Sequence, residues 1–344
     1  MSSNKHLAAV LHAKGTSLKI EERTTPRPGP NEMLIEVKSI ALNPIDVLMR
    51  DFGFTISEYP AVPGSDVAGT VLEVGSDVSS SLARIGERVL AFAPAFFKQG
   101  HSNYGGLQTR VLVPVQNVCP IPDHLNYHEA ATMPMCVLTA WRGLYTLGIA
   151  RETKLSASER QGILVWGGAS SVGCGAIQIA KSMGFVVYST AREENHSYIK
   201  ELGASRTFDY KSGDAVDKII KAAQEDGLAI QYGFDAVGQL APCLDILKQT
   251  GSGLAQLATA KRFGVKNPII PEVEVRWIEP ARSVEEQKEF HGFVFNKWLR
   301  RTLEKKQWIP SPKLKVMSGG LKSINAALDE LKGGLSCTKL VIEV

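Results

Sequence analysis

The sequence has no apolar run long enough to cross a bilayer. Stretches such as Gly184-Phe185-Val186-Val187-Tyr188 have strand length, far below the ~20 residues a spanning helix needs, so no membrane span is expected. It also lacks a long basic block or aromatic-and-basic interleaving of the kind that grips nucleic acid; the formal net charge of +4 is scattered. Gripping a polynucleotide takes a clustered basic face, so no nucleic-acid partner is expected. Cysteine is sparse: the five, at positions 119, 136, 174, 243 and 337, form no close pairs, and the N-terminus shows neither a basic and apolar leader nor a cleavage signal. A reduced, intracellular protein of the cytoplasm is the expectation. Among the seven histidines, His6, His12, His101, His124, His128, His196 and His291, only His124 and His128 stand at His-x-x-x-His spacing, and no His/Cys cluster accompanies them, so no metal set is expected.

The 344 residues give room for two domains. Through residues 7–120, short β-like runs (Leu7 to His12, Met33 to Ile40, Val67 to Val74, Arg88 to Phe92, Gln108 to Val113) alternate with Pro and Gly punctuation. This reads as a barrel-like β domain. Pro26-Arg27-Pro28-Gly29-Pro30 is a turn, because fixed φ and missing donors stop a strand there. From 126 to 265, helical patterns alternate with the apolar strands Ile163 to Trp166, Phe185 to Ser189, Tyr232 to Ala236 and Leu254 to Leu257, the pattern of a parallel sheet covered on both faces. Residues 280–308 are charged and aromatic; Ser323 to Leu331 has helix periodicity, and Lys339 to Val344 is a closing strand that returns to the first domain. The fold class is therefore α/β: a β-barrel-type domain of residues 1–125 and 266–344, and a Rossmann-type parallel-sheet domain of residues 126–265, with part of the tail free to pack on the latter.

The most informative segment is Gly167-Gly168-Ala169-Ser170-Ser171-Val172-Gly173, which follows Gly162-Ile163-Leu164-Val165-Trp166 and opens a helix of small and apolar residues. Gly168 and Gly173 occupy the outer positions of Gly-x-Gly-x-x-Gly, where the chain turns sharply and helix-terminal amides face phosphate; Ser170 replaces the middle glycine. A plain structural turn would show the same pattern. The next strand ends in Tyr188-Ser189-Thr190-Ala191-Arg192, where an NAD site places an Asp or Glu on the ribose diol. A guanidinium there matches the 2′-phosphate of NADP(H) by paired, charge-assisted hydrogen bonds, with Ser189 or Thr190 as a further donor. Arg192 beside Glu193 and Glu194 could equally balance surface charge.

The domain order, together with Leu42-Asn43-Pro44-Ile45-Asp46, Pro63-Gly64-Ser65-Asp66-Val67-Ala68-Gly69, Leu138-Thr139-Ala140-Trp141, the 167–173 turn and Lys200-Glu201-Leu202-Gly203-Ala204, resembles the medium-chain dehydrogenase/reductase superfamily over essentially the full chain. Within it the sequence is similar to the zinc-independent quinone reductases and, through Trp-Gly-Gly-x-Ser-Ser-Val-Gly, to the fungal stand-alone (trans-acting) enoyl reductases that assist polyketide synthases. The resemblance implies a GroES-like catalytic domain and a Rossmann-type NADP(H) domain. Asn43 stands where the zinc alcohol dehydrogenases of the family carry Cys, and Ser65 where they carry His. The segment Pro94 to Gly106 has none of the four cysteines of the structural zinc lobe. Cys136, near the third ligand position, lacks partners for a three-ligand centre, so no metal is expected.

The resemblance also implies site residues. Asn43 and Asp46 belong to the catalytic end of the first domain, Asn43 positioning substrate or nicotinamide or else capping a turn, and Asp46 orienting rather than donating a proton, since it is ionised unless strongly buried. Thr139 approaches the nicotinamide, which is expected in the cleft between the domains. Ser170, Ser171 and Val172 meet the pyrophosphate, and Tyr210 the adenine end. The loop around Leu257 and Ala258 passes the nicotinamide or simply leaves the sheet, and Lys339 meets phosphate or opens an edge strand at the surface. Trp277, Phe290, Phe293, Phe295 and Trp298 either line an apolar pocket or belong to the core. The function implied is NADPH-dependent hydride transfer to an activated C=C bond of an enone or acyl thioester, since an enolate held by hydrogen bonds needs no metal. The alternatives are quinone reduction or a non-catalytic NADPH-binding role. The acyl carrier of a polyketide synthase is the protein partner this resemblance admits, and both monomer and homodimer remain open.

Overall fold

The computed structural model describes residues 4–260, 270–281 and 283–344. They divide into two compact units, Met1–Met135 with Arg282–Val344, and Cys136–Ala281. The expected boundary at 265/266 lies outside the described residues.

The first unit is built on a seven-stranded sheet. Its path runs Lys313–Met317, Thr338–Glu343, Glu32–Ala41, Asp66–Val74, Arg88–Phe92 and Val118–Pro120, with Arg110–Pro114 also paired to Glu32–Ala41. All pairs are antiparallel except the first. That parallel pair is joined by the helix Ile324–Lys332, as a parallel connection requires. The tail strand reaches the centre of the sheet through Val341 opposite Ala41. Alternation along the strands sends Met33, Ile35 and Val37 into one core with Val67, Val89, Leu107, Val111 and the helix residues Ile324 and Leu328. A separate hairpin pairs Lys5–Val10 with Lys19–Thr24.

Among the described residues the second unit holds six strands, all parallel: Gly162–Trp166, Val186–Ala191, Arg206–Asp209, Ile230–Asp235, Ala255–Thr259 and Val273–Trp277. In space the third lies beside the second, then the first, fourth, fifth and sixth. This is the doubly wound order, whose ligand crevice opens at the carboxyl ends of the first and fourth strands. The first strand is apolar throughout because helices cover both faces of such a sheet.

Several elements differ from expectation. The fourth and fifth strands are displaced from the expected runs, and Arg206–Asp209, Val273–Trp277 and Lys313–Met317 are strands that periodicity did not indicate. Lys313–Met317 alternates lysine with apolar residues on an exposed sheet edge, where charge rather than burial dictates the pattern. The charged and aromatic segment is helical: Val284–His291 passes into wider π-helical turns over Gly292–Leu299 and then Arg300–Glu304. Phe290 and Phe295 are buried core residues there, and Trp298 meets Trp308 edge to face at 5.7 Å, so core packing accounts for these aromatics.

Candidate active site

In the second unit, Trp166 ends the first strand and Gly167 turns the chain at φ +84°. Ser170 caps the helix Ser171–Ser182, its Oγ accepting the Gly173 N–H at 3.1 Å and donating to the Gly167 carbonyl at 2.7 Å. A Cβ on Gly168 would lie 2.0 Å from Ser189 Oγ, and one on Gly173 would lie 2.3 Å from the Gly167 carbonyl oxygen. Both glycines are therefore required by close approach. Gly173→Ala is expected to cost roughly 1–3 kcal/mol of stability by overpacking, read as a lower urea midpoint at unchanged m-value.

With Ser170 engaged, the first-turn N–H groups of Ser171 and Val172 have no acceptor among the described residues, and the Ser171 hydroxyl is buried without a partner. Orphaned amides and an orphaned hydroxyl at a helix N-terminus suit a phosphate. The residues present thus fit the pyrophosphate of a dinucleotide, with Ser170 bracing the turn.

Ser189 and Thr190 are corrected by the structure. Both are fully buried; Ser189 Oγ donates to the Val165 carbonyl at 2.9 Å and Thr190 Oγ1 accepts the Gly167 N–H at 2.9 Å. They fasten the turn to the second strand and offer no hydroxyl to a 2′-phosphate. Arg192 and Tyr210 are brought together at adjacent strand ends, Arg192 Nε donating to the Tyr210 hydroxyl at 3.2 Å.

Leu257 and Ala258 are corrected as well. They are buried inside the fifth strand, between the fourth and the sixth, and not in the loop that follows. The polar group at that sheet edge is one that sequence reasoning missed. Asp235, at the end of the fourth strand, accepts Thr259 Oγ1 at 2.6 Å and the N–H groups of Val237 and Gly238 at 3.1 and 2.9 Å. A buried acid closing the strand after Gly233 and Phe234 was the available signal. Thr139 lies half-buried in the helix Pro134–Thr146.

The first unit holds a second polar cluster. Asn43 precedes the helix Pro44–Phe52, and Asp46 Oδ2 accepts the Asn43 backbone N–H at 2.8 Å. The Asn43 side chain is engaged elsewhere: Nδ2 donates to Asp66 Oδ2 at 2.9 Å, and Oδ1 accepts the Lys339 ammonium at 2.5 Å. Lys339 Nζ also lies 3.2 Å from Asp66 Oδ2, while Asp66 Oδ1 accepts the Met135 N–H at 2.8 Å. All four side chains are buried, with Asn43 3%, Lys339 4% and both aspartates 0% exposed.

Lys339 therefore does not open a surface edge, and two of its three ammonium hydrogens are engaged within the first unit. Every contact of Asp66 donates to it, so the carboxylate form satisfies them all, although burial pushes its pKa up against Lys339 and the two N–H groups. Asp46 is pushed up to about 7, chiefly by burial and further by the Asp66 charge, against the Asn43 N–H and Lys339. Its Oδ1, and the hydroxyl of Ser65, which precedes Asp66 in the chain, are buried without partners. The second Nδ2 hydrogen of Asn43 likewise has no acceptor among the described residues.

The alcohol dehydrogenase GroES-like domain family matches residues 29–123, and the zinc-binding dehydrogenase family matches residues 171–275. Over 348 residues the chain is 41% identical to the trans-enoyl reductase tndF of Aspergillus flavipes, covering 99% of each. Over 272 residues it is 42% identical to the trans-enoyl reductase tazE of Aspergillus terreus, 78% of this chain and 88% of that one. The quinone oxidoreductase structure from Coxiella burnetii superposes with a TM-score of 0.70 at 25% identity, over 99% of both chains.

The second family description implies zinc, and the donor set does not fit it. At the two ligand positions stand a neutral amide and a hydroxyl, and the amide oxygen is held by an ammonium, which would repel a metal cation. The Cys136 thiol donates to the Ser171 carbonyl at 2.9 Å. Among the described residues no group of three or more His, Cys, Asp or Glu side chains is placed to hold a metal ion.

Proposed function

The chain belongs to the medium-chain dehydrogenase/reductase superfamily, in the zinc-independent branch of the fungal trans-enoyl reductases, and on that premise we propose that it transfers hydride from NADPH to a C=C bond conjugated to a carbonyl. It is an oxidoreductase with an NAD(P)H-binding Rossmann-type domain. The finer reading for NADPH rests on Arg192 beside Tyr210, and that for an enoyl substrate on the Asn43 amide. It is a buried hydrogen-bond donor with one hydrogen unspent, at a position where carbonyl chemistry in this superfamily otherwise relies on a metal ligand.

Bound NADPH supplies the hydride. The N–H groups of Ser171 and Val172, with the Ser171 hydroxyl, hold the pyrophosphate, and Arg192 with Tyr210 receives the 2′-phosphate and adenine end. The second Nδ2 hydrogen of Asn43 donates to the substrate carbonyl oxygen. As hydride arrives at the β-carbon, charge grows on that oxygen, and a fixed buried donor is stronger toward the enolate than toward the ground-state carbonyl. The substrate class is an enone or enoyl thioester, free or on an acyl carrier. A simple ketone, whose carbonyl carbon must itself take the hydride, lacks the stronger electrophile it needs here.

The test is NADPH oxidation by purified, chelator-treated protein against enoyl thioesters, enones, quinones and simple ketones, with NADH in parallel. Turnover of the first two with NADPH, indifferent to chelator, is expected. Turnover of quinones alone makes the protein a quinone reductase; activity that chelator abolishes or that is confined to ketones overturns the reading.

A further inference from the structure

Lys339 is the least expected member of the first unit's cluster. It sits in the strand Thr338–Glu343, followed by the buried Leu340, Val341 and Ile342, where another apolar residue would serve packing. Burying an ammonium costs several kcal/mol unless it is paired and hydrogen-bonded, and breaking such a pair leaves the partner charge exposed to the same cost. Its two contacts are Asn43 Oδ1 and Asp66 Oδ2.

An ammonium can only donate and a carboxylate only accept, so the two together admit a single orientation of the amide between them, oxygen toward Lys339 and nitrogen toward Asp66. We propose that Lys339 is a positioning residue: with Asp66 it clamps and polarises the Asn43 amide, so that one N–H hydrogen stays available for the substrate carbonyl. The proposal rests on the enone-reductase reading for its kinetic consequence, but the clamp itself does not. Without Lys339, Asp66 loses its counter-charge and takes up a proton. It can then donate to Asn43 Oδ1, and the amide can sit either way round.

The test uses the full chain carrying Lys339→Met with Asp66→Asn, which removes both buried charges together, against a short enone. Its Kd for NADPH should stay within about twofold of the unmodified protein, while kcat falls about tenfold. On an Asn43→Ala background the same pair of substitutions should lower kcat no further. A raised NADPH Kd with kcat intact would return Lys339 to the phosphate, and losses that add on the Asn43→Ala background would make its role independent of Asn43; either overturns the proposal. If the unmodified protein reduces no enone, the functional reading fails and the clamp is decided by NMR. Of the two Asn43 side-chain amide protons, assigned by their disappearance in Asn43→Ala, the one donated to Asp66 should be slow to exchange, and should lose that protection in the double variant. Should the double variant not fold, the spectrum of the unmodified protein is sufficient: exchange at the rate of an exposed amide overturns the clamp.

Discussion

Arg192→Ala is expected to raise the Kd for NADPH about 30- to 150-fold and to leave that for NADH within about twofold, the loss of charge-assisted hydrogen bonds worth roughly 2–3 kcal/mol. Arg192 follows the second strand of the parallel sheet, where the acid that binds a ribose diol would stand. Its guanidinium is partly exposed, touches the Tyr210 hydroxyl through Nε, and lies 3.8 Å from Glu194. That exposed ion pair is worth at most about 1 kcal/mol and is easily exchanged for a phosphate. Arg192→Lys keeps the charge but loses the planar fork, so an intermediate NADPH Kd is expected. Calorimetric titration with both cofactors decides the matter. Equal weakening of the two would assign Arg192 to the shared part of the dinucleotide, and no change in either would make it a surface residue.

What the sequence made legible was local. The glycine turn can be read because its spacing, its flanking strand and its helix lie within about a dozen residues, and close backbone approach leaves glycine little substitute at 168 and 173. Asn43 and Asp46 can be read as a pair because they stand three positions apart at a helix start. Lys339 could not be placed, because the partner that explains it is 296 residues away, and a lysine opening an apolar strand has the pattern of a surface edge. Ser189 and Thr190 mislead for a different reason. In a parallel strand buried on both faces, alternation no longer tells which hydroxyl faces a ligand and which braces a neighbouring loop. Leu257 and Ala258 were misassigned because the fifth strand runs two residues past its expected end, which places the Thr259–Asp235 pair at the sheet edge instead.

Asp46→Asn should remove a large part of the protein's loss of stability with rising pH. In the folded chain the Asp46 carboxyl is raised to about 7, while in the unfolded chain it returns to its ordinary value of 3.8. Between those values the folded state binds the proton and the unfolded state does not, so stability from this group is greatest in acid and is lost as pH rises toward 7. From pH 5 to pH 8 the change is on the order of 3 kcal/mol, two units of proton linkage at about 1.4 kcal/mol each. Asp66, also raised, acts with the same sign, whereas Asp51 and Asp226, both held low by arginine, act with the opposite sign and lose their stabilisation only in acid. The unmodified protein therefore gives a sum, and the difference between it and Asp46→Asn isolates the one carboxyl. An asparagine oxygen can still accept the Asn43 N–H, and its NH2 replaces a protonated oxygen that has no partner either, so the helix start is preserved. Urea unfolding of both proteins at pH 5 and pH 8 measures the difference. The variant should gain on the unmodified protein by roughly that amount between the two pH values. Parallel stability curves would mean that Asp46 stays ionised in the folded chain, its burial offset by Lys339 and the Asn43 N–H.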